Sequence, residues 1–150
     1  MFDEYGCIGE SDTCEDCING SFDPSNDGAD FDADGFHDVY LPQIGFSQLF
    51  FNDGAGGLVD VSETNLPMES GTGIGATAVD VDGDADLDVI EAGFGQVRVL
   101  LNDGNGRFIL REDLPVDGRT VYYGSAWADM DGDGDLDGIV SAFPGQLPTI

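Results

Sequence analysis

Lysine is absent from this chain, and arginine is scarce: four arginines and one histidine face 31 acidic residues among 150, a formal net charge of -27. A field of that sign repels nucleic acid, anionic membrane surfaces and phosphate-rich ligands, so none of these is expected as a partner. No long apolar run is present either, which argues against membrane insertion. No segment shows a convincing helical period. Strong acidity can accompany disorder, but 41% of the residues are hydrophobic and the acids recur at fixed spacings rather than in blocks. Cations are therefore expected to belong to the folded state.

Cysteine is absent after residue 17. Cys7, Cys14 and Cys17 lie together in a lead-in segment, residues 1-24. An extracellular setting pairs two of them and leaves the third for a partner outside the segment. A zinc site would need a fourth ligand, and the lone histidine, His37, sits inside another motif. Compartment logic favours the disulfide over zinc or free thiols. Met1-Phe2-Asp3-Glu4-Tyr5 lacks the basic and apolar regions of a signal peptide, and the chain reads as a piece of something longer. Asn19-Gly20-Ser21 matches a glycosylation acceptor, a common triplet.

What is present in abundance is repetition. Asp30, Asp80 and Asp129 each open an acidic loop, at separations of 50 and 49 residues. Asn52-Asp53-Gly54-Ala55-Gly56 returns 50 residues later as Asn102-Asp103-Gly104-Asn105-Gly106. Leu66-Pro67 returns as Leu114-Pro115, and Gly75 as Gly124. The interval from the last loop aspartate to the Asn-Asp-Gly turn is 14 residues from both Asp38 and Asp88. Self-similarity at such a period marks a repeat architecture.

Each unit reads as four short strands. In the second copy these are Ala76 to Val79, Leu87 to Ala92, Val97 to Leu101, and Phe108 to Leu110. Val97, Val99 and Leu101 alternate with Arg98 and Leu100 at period two, and the Asn-Asp-Gly turn supplies the positive-φ residues of a hairpin. Four-stranded units of this length fit propeller blades. The expected fold is all-β: antiparallel β-propeller blades of about 50 residues, forming an incomplete propeller fragment. Blade one spans 25-70, blade two 71-119, and part of a third 120-150. Typical propellers have roughly four to eight blades, so three do not close a ring.

The loops carry the chemistry. Positions 1, 3, 5, 7 and 9 are Asp30, Asp32, Asp34, Phe36 and Asp38 in loop one. They are Asp80, Asp82, Asp84, Asp86 and Asp88 in loop two, and Asp129, Asp131, Asp133, Asp135 and Asp137 in loop three. Carboxylates at 1, 3, 5 and 9 of a tight turn converge on one point. Position 7 is expected to add its backbone carbonyl while the side chain of Asp86 or Asp135 turns to solvent. Such an all-oxygen, flexible cage suits calcium, about three ions in all, better than magnesium, which demands a tighter octahedron. It offers zinc or copper no thiolate or imidazole. Two carboxylates about 4 Å apart repel by roughly 4 kcal/mol at an effective dielectric near 20, so an ion at the centre is close to obligatory.

Loop two is expected to differ from its siblings. Position 6 is glycine in loops one and three, where a left-handed turn is anticipated, but Ala85 in loop two. A left-handed alanine costs roughly 1–2 kcal/mol, so loop two is expected to bind most weakly, or to use Gly83 to turn differently. His37 reads as an outward loop residue and Trp127 as blade packing.

Gly-x-x-Ala-x-Asp-x-Asp-Gly-Asp-x-Asp-Leu-Asp-Val followed by Leu-Leu-Asn-Asp-Gly-Asn-Gly-x-Phe resembles the VCBS and FG-GAP repeats, related to the blades of the integrin α-subunit propeller. The resemblance covers roughly residues 26-150. It implies a seven-bladed or similar propeller with calcium in the hairpin between a blade's first two strands, held by the aspartates named above. Such repeats occur mostly in secreted or cell-surface proteins, in adhesion or ligand recognition. Ala85 departs from the pattern. So does Ser25-Asn26-Asp27-Gly28-Ala29, which replaces the Gly-x-x-Ala lead-in of the first blade.

The reading favoured is a calcium-stabilised extracellular module with a protein or glycan ligand, not an enzyme. The alternative is the propeller segment of a secreted enzyme, such as a polysaccharide lyase or a calcium-dependent phosphatase. Against it, no Ser-His or paired-base arrangement is visible. A thrombospondin-like calcium string shares the acidic loops, but the hairpin repeat and the lack of cysteines between loops speak against it.

Overall fold

A computed structural model describes residues 29–116 and 118–143. The three cysteines, the lead-in segment and Asn19-Gly20-Ser21 lie outside the described residues.

Period-two segments punctuated by Gly-rich turns give ten strands among the described residues. Unit one contributes β1 (Val39–Leu41), β2 (Ile44–Gly45), β3 (Gln48–Asn52) and β4 (Leu58–Asp60). Unit two contributes β5 (Gly71–Val79), β6 (Asp88–Gly93), β7 (Val97–Asn102) and β8 (Phe108–Asp113). Unit three contributes β9 (Val121–Ala128) and β10 (Asp137–Phe143). All pairings between these strands are antiparallel. The three sheets have the orders β1-β3-β4, β2-β5-β6-β7-β8 and β10-β9. Together they curl as the neighbouring blades of an incomplete propeller.

Two features go beyond the sequence pattern. One helical turn, α1 (Ser62–Asn65), links β4 to β5. It is too short for a helical period to register, and Ser62 Oγ anchors it by accepting from Leu49 N–H at 2.9 Å. The other is β2. Pro42 offers no N–H to a ladder, and the chain beyond it leaves the first sheet and pairs with β5, Ile44 against Thr72. Unit two's sheet therefore has five strands, the outermost supplied by unit one.

Unit two is sandwiched, and both its faces are apolar. One cluster joins Val89, Leu100 and Phe108 to Phe31 and Leu49 of unit one. The other joins Ile90, Ala92 and Val97 to Tyr122 of unit three, with Trp127 and Val140 packed against it. The inner strands β5 and β9 run close together. A Cβ at Gly75 would collide with the Tyr123 carbonyl, and Thr77 Oγ1 donates to Ser125 O at 3.0 Å. The glycine that recurs as Gly75 and Gly124 thus marks the seam between blades.

Candidate metal centre

In units two and three the acidic loop joins the first strand to the second, β5 to β6 and β9 to β10, so strand pairing fixes both its ends. Loop one leads into β1 and is closed by Asp38 N–H donating to Ala29 O at 2.7 Å. The first aspartate of each loop then folds the turn upon itself. Asp30, Asp80 and Asp129 each accept, at Oδ2, the N–H of position 6: Gly35 at 2.8 Å, Ala85 at 3.1 Å and Gly134 at 3.0 Å. Position 5 holds the next corner. Asp34, Asp84 and Asp133 accept the N–H of Phe36, Asp86 and Asp135 at 2.9, 3.0 and 2.9 Å.

The last aspartate is the anchor. Asp38, Asp88 and Asp137 accept at Oδ2 the N–H of position 2: Phe31 and Val81 at 2.8 Å, Met130 at 3.0 Å. In units one and two the other oxygen accepts the N–H of the Asn that opens the Asn-Asp-Gly turn. Asn52 reaches Asp38 at 3.0 Å, and Asn102 reaches Asp88 at 2.8 Å. The 14-residue interval in the sequence is this hydrogen bond.

With these constraints, positions 1, 3 and 9 meet. In each of the sets Asp30, Asp32, Asp38; Asp80, Asp82, Asp88; and Asp129, Asp131, Asp137, one carboxylate oxygen per residue lies within 4.8 Å of the others. Position 5 stands outside these groups of three. At position 7, Asp86 is half-buried rather than turned to solvent, and its side chain, like the exposed Phe36 ring, lies against the hairpin turn of its own unit. A Cβ at Gly54 would strike the Phe36 ring, and one at Gly104 the Asp86 carboxylate. Asp135 is exposed.

In loops one and two, burial and like charge disfavour ionisation of particular carboxylates. Burial, then the charge of Asp38 and Asp34, pushes the Asp32 carboxyl above its ordinary range. Burial also pushes up Asp38 and Asp88, against the lowering effect of their backbone donors. Hard oxygen ligands, like charge and partial burial converging on one point form a donor set that fits a divalent cation of the calcium type.

Of the two outcomes expected for loop two, weaker binding or a different turn, the different turn is not seen. Ala85 has φ 76, so position 6 is left-handed as anticipated, but the turn is not different: Gly35 and Gly134 have φ 89 and 94. Position 4 is left-handed too, at Ala33 (φ 59), Gly83 (φ 80) and Gly132 (φ 79). Loops one and two therefore carry one strained alanine each, and loop three none.

A model of the FG-GAP-like repeat matches residues 30–91 and again 80–140. Each match opens on the first aspartate of a loop and ends in the strand that follows the next one. The chain belongs to the FG-GAP-like repeat family. No curated protein and no solved structure matches it.

Within this FG-GAP-like chain, several functional positions escaped the sequence pattern. Position 2 is a plug between blades: Phe31, 2% exposed, stacks edge-on against Phe108 at 5.3 Å. Asn102 ties the loops together, donating from Nδ2 to Phe31 O at 2.9 Å and to Leu87 O at 3.1 Å. Glu91 and Arg98 face each other across β6 and β7 and are buried, at 1% and 3% exposure. The register of the hairpin, turning at Gly93 to Gln96, was the available signal for that pair. Trp127 packs in the second cluster as expected, and His37 is half-buried in loop one.

Proposed function

We propose that the three loops bind calcium, one ion each, and that the calcium-braced blades serve as an extracellular recognition module in adhesion or ligand binding. The observation that carries this is the threefold convergence of carboxylates from positions 1, 3 and 9 within 4.8 Å. Position 5 has Asp34, Asp84 or Asp133 at hand to complete the all-oxygen shell, and the position 7 carbonyl is a further ligand. Calcium's role here is structural: it offsets the repulsion among the loop carboxylates and holds the strands that flank them. Secretion or display on the cell surface accords with millimolar calcium outside cells and with the family's usual setting. The module acts by binding a protein or glycan rather than by catalysis.

Equilibrium dialysis against calcium and magnesium tests the metal reading. About three calcium ions per chain are expected to bind, with magnesium competing poorly. Asp32→Asn, Asp82→Asn and Asp131→Asn should each remove one. No saturable calcium uptake, or uptake untouched by all three substitutions, overturns it. The reading as part of a secreted enzyme would need an open coordination position for substrate or water. The backbone donors that close each loop favour the structural role instead.

A further inference from the structure

The ends of the strands remote from the acidic loops carry a second feature, at the seam between units one and two. Here the connection Pro42–Ser47, the segment from α1 to Glu69, and β7 enclose a cavity of about 260 Å³. Its walls are apolar: Phe46, Leu66, Pro67 and Met68 line it, with Phe46 59% and Met68 69% exposed. Its floor is polar but neutral. Arg98 lines the cavity with its guanidinium 3.5 Å from Glu91 Oε1. Glu91 Oε2 accepts from Tyr40 Oη at 2.7 Å and from Ser47 Oγ. Two carboxylates, Glu63 and Glu69, belong to the exposed rim.

We propose that this cavity is a docking site for a partner polypeptide, which inserts one large apolar side chain flanked by lysine or arginine. The class of occupant follows from size, polarity and charge. Cavities that enclose cofactors or drug-sized ligands run to about 300–1,000 Å³; 260 Å³ is smaller and suits one side chain. The walls reward burial of an apolar group, and the Glu91–Arg98 pair leaves no net charge beneath it. At the rim, Glu63 and Glu69 attract a cation, and a chain of net charge -27 steers basic partners and repels acidic ones. An apolar anchor in a pocket with charge at its edge is the usual anatomy of an interface hot spot. The site deepens the recognition role proposed above. It stands apart from the acidic loops, so its failure would leave the calcium reading standing.

The test uses the full chain in calcium chloride, followed by amide chemical shifts during titration with short blocked peptides. Acetyl-Lys-Phe-Lys-amide is expected to shift the amides of Ser47, Leu66, Met68 and Arg98. It should bind about tenfold more tightly than acetyl-Lys-Gly-Lys-amide or acetyl-Glu-Phe-Glu-amide. Phe46→Ser, at an exposed side chain whose loss spares the core, should lower that affinity about tenfold. Glu63→Gln with Glu69→Gln should lower it by a smaller factor and flatten its salt dependence. Three outcomes overturn the proposal. Shifts spread over the acidic loops with equal affinity for the glycine peptide would mean general attraction of cations. Equal binding of acetyl-Phe-amide would make the cavity a site for small apolar molecules. Absence of binding would remove the site altogether.

Discussion

Units two and three carry the same motif, and the chain treats them differently. In unit two, Ile90 is 1% exposed; its counterpart in unit three, Ile139, is 63% exposed. Asp88 is fully buried with two backbone donors, from Val81 and Asn102. Asp137 is half-buried, and its one donor among the described residues is Met130 N–H. Position 2 grades the same way, with Val81 of unit two half-buried and Phe31 of unit one 2% exposed, against Met130 of unit three at 56%. Full burial of one such aliphatic side chain is worth about 1.5–3 kcal/mol. Unit three has two strands among the described residues and one packed neighbour, whereas unit two has four strands of its own and a neighbour at each face. Unit two draws on both neighbours, and it lends the same support to their acidic loops.

The largest effect should come from removing the metal. With millimolar calcium and an assumed dissociation constant of about 0.1 mM, each site adds roughly 1.4 kcal/mol. Three together approach the lower end of a domain's stability, about 5 kcal/mol. Melting curves in calcium and in excess chelator should lie many degrees apart, and superimposable curves would sink the metal hypothesis. The gap should also narrow in acid. Asp32, Asp38 and Asp88 hold protons more firmly in the metal-free fold than in the unfolded chain. The metal-free fold therefore loses stability as pH rises from about 3.8 through their raised values. The calcium-loaded form, which needs them ionised, gains over the same range. A gap that widens on acidification contradicts this sign.

Next in size is the difference between the two anchors, best measured in chelator so that metal binding does not enter. Asp88→Ala leaves the N–H groups of Val81 and Asn102 without an acceptor inside the sandwich, at about 1–3 kcal/mol for each. Relief of the desolvated carboxylate offsets part of that, so a net loss of about 3 kcal/mol is expected. Asp137→Ala leaves one donor that water can reach and should cost under about 1 kcal/mol. Equal losses in chemical denaturation would show that neighbouring blades do not set the strength of the anchor.

Much of this was legible beforehand because the repeat is written in two registers at once. Period-two runs gave the strands, and the spacing of the aspartates gave the loops. Asp30, Asp32 and Asp38 do meet, as do their equivalents. What the pattern could not reveal depends on contacts between units. Phe31, Asn102, Glu91 and Arg98 act across a seam, and nothing in the local period says which blade a residue will face. The cavity beside Phe46 likewise needs two units to exist. Position 4 hid for another reason. Ala33 occupies it in loop one where loops two and three have glycine, and left-handedness there shows only in the backbone.

Asn102 tests the seam directly. Asn102→Ala removes the side-chain bonds to Phe31 O and Leu87 O while its backbone N–H still serves Asp88. One buried and one part-buried carbonyl then lose a donor, for about 1–2 kcal/mol. Because Phe31 belongs to loop one and Leu87 to loop two, calcium affinity should fall at both sites and hold at loop three. A loss confined to loop two would mean that the blades do not support each other's loops.

The smallest effect concerns the two alanines. Ala33 and Ala85 sit at φ 59 and 76, where an L side chain costs roughly 1–2 kcal/mol and glycine nearly nothing. Glycine also loosens the unfolded chain, which takes back about 0.4–1 kcal/mol. Ala33→Gly and Ala85→Gly should therefore each stabilise the calcium-loaded protein by about 0.5–1 kcal/mol, a shift of a few degrees. The reverse change at Gly132 or Gly134, at φ 79 and 94, loses on strain and regains on chain entropy, for a net loss of similar size. Nothing within 4 Å would meet a Cβ at Gly132 or Gly134, so no clash adds to the strain. If Ala85→Gly stabilises and Ala33→Gly does not, loop two is the single exception that its sequence suggests. Equal gains at both would place the strain in the shared geometry of the turn, and weakness in loop two would need another cause.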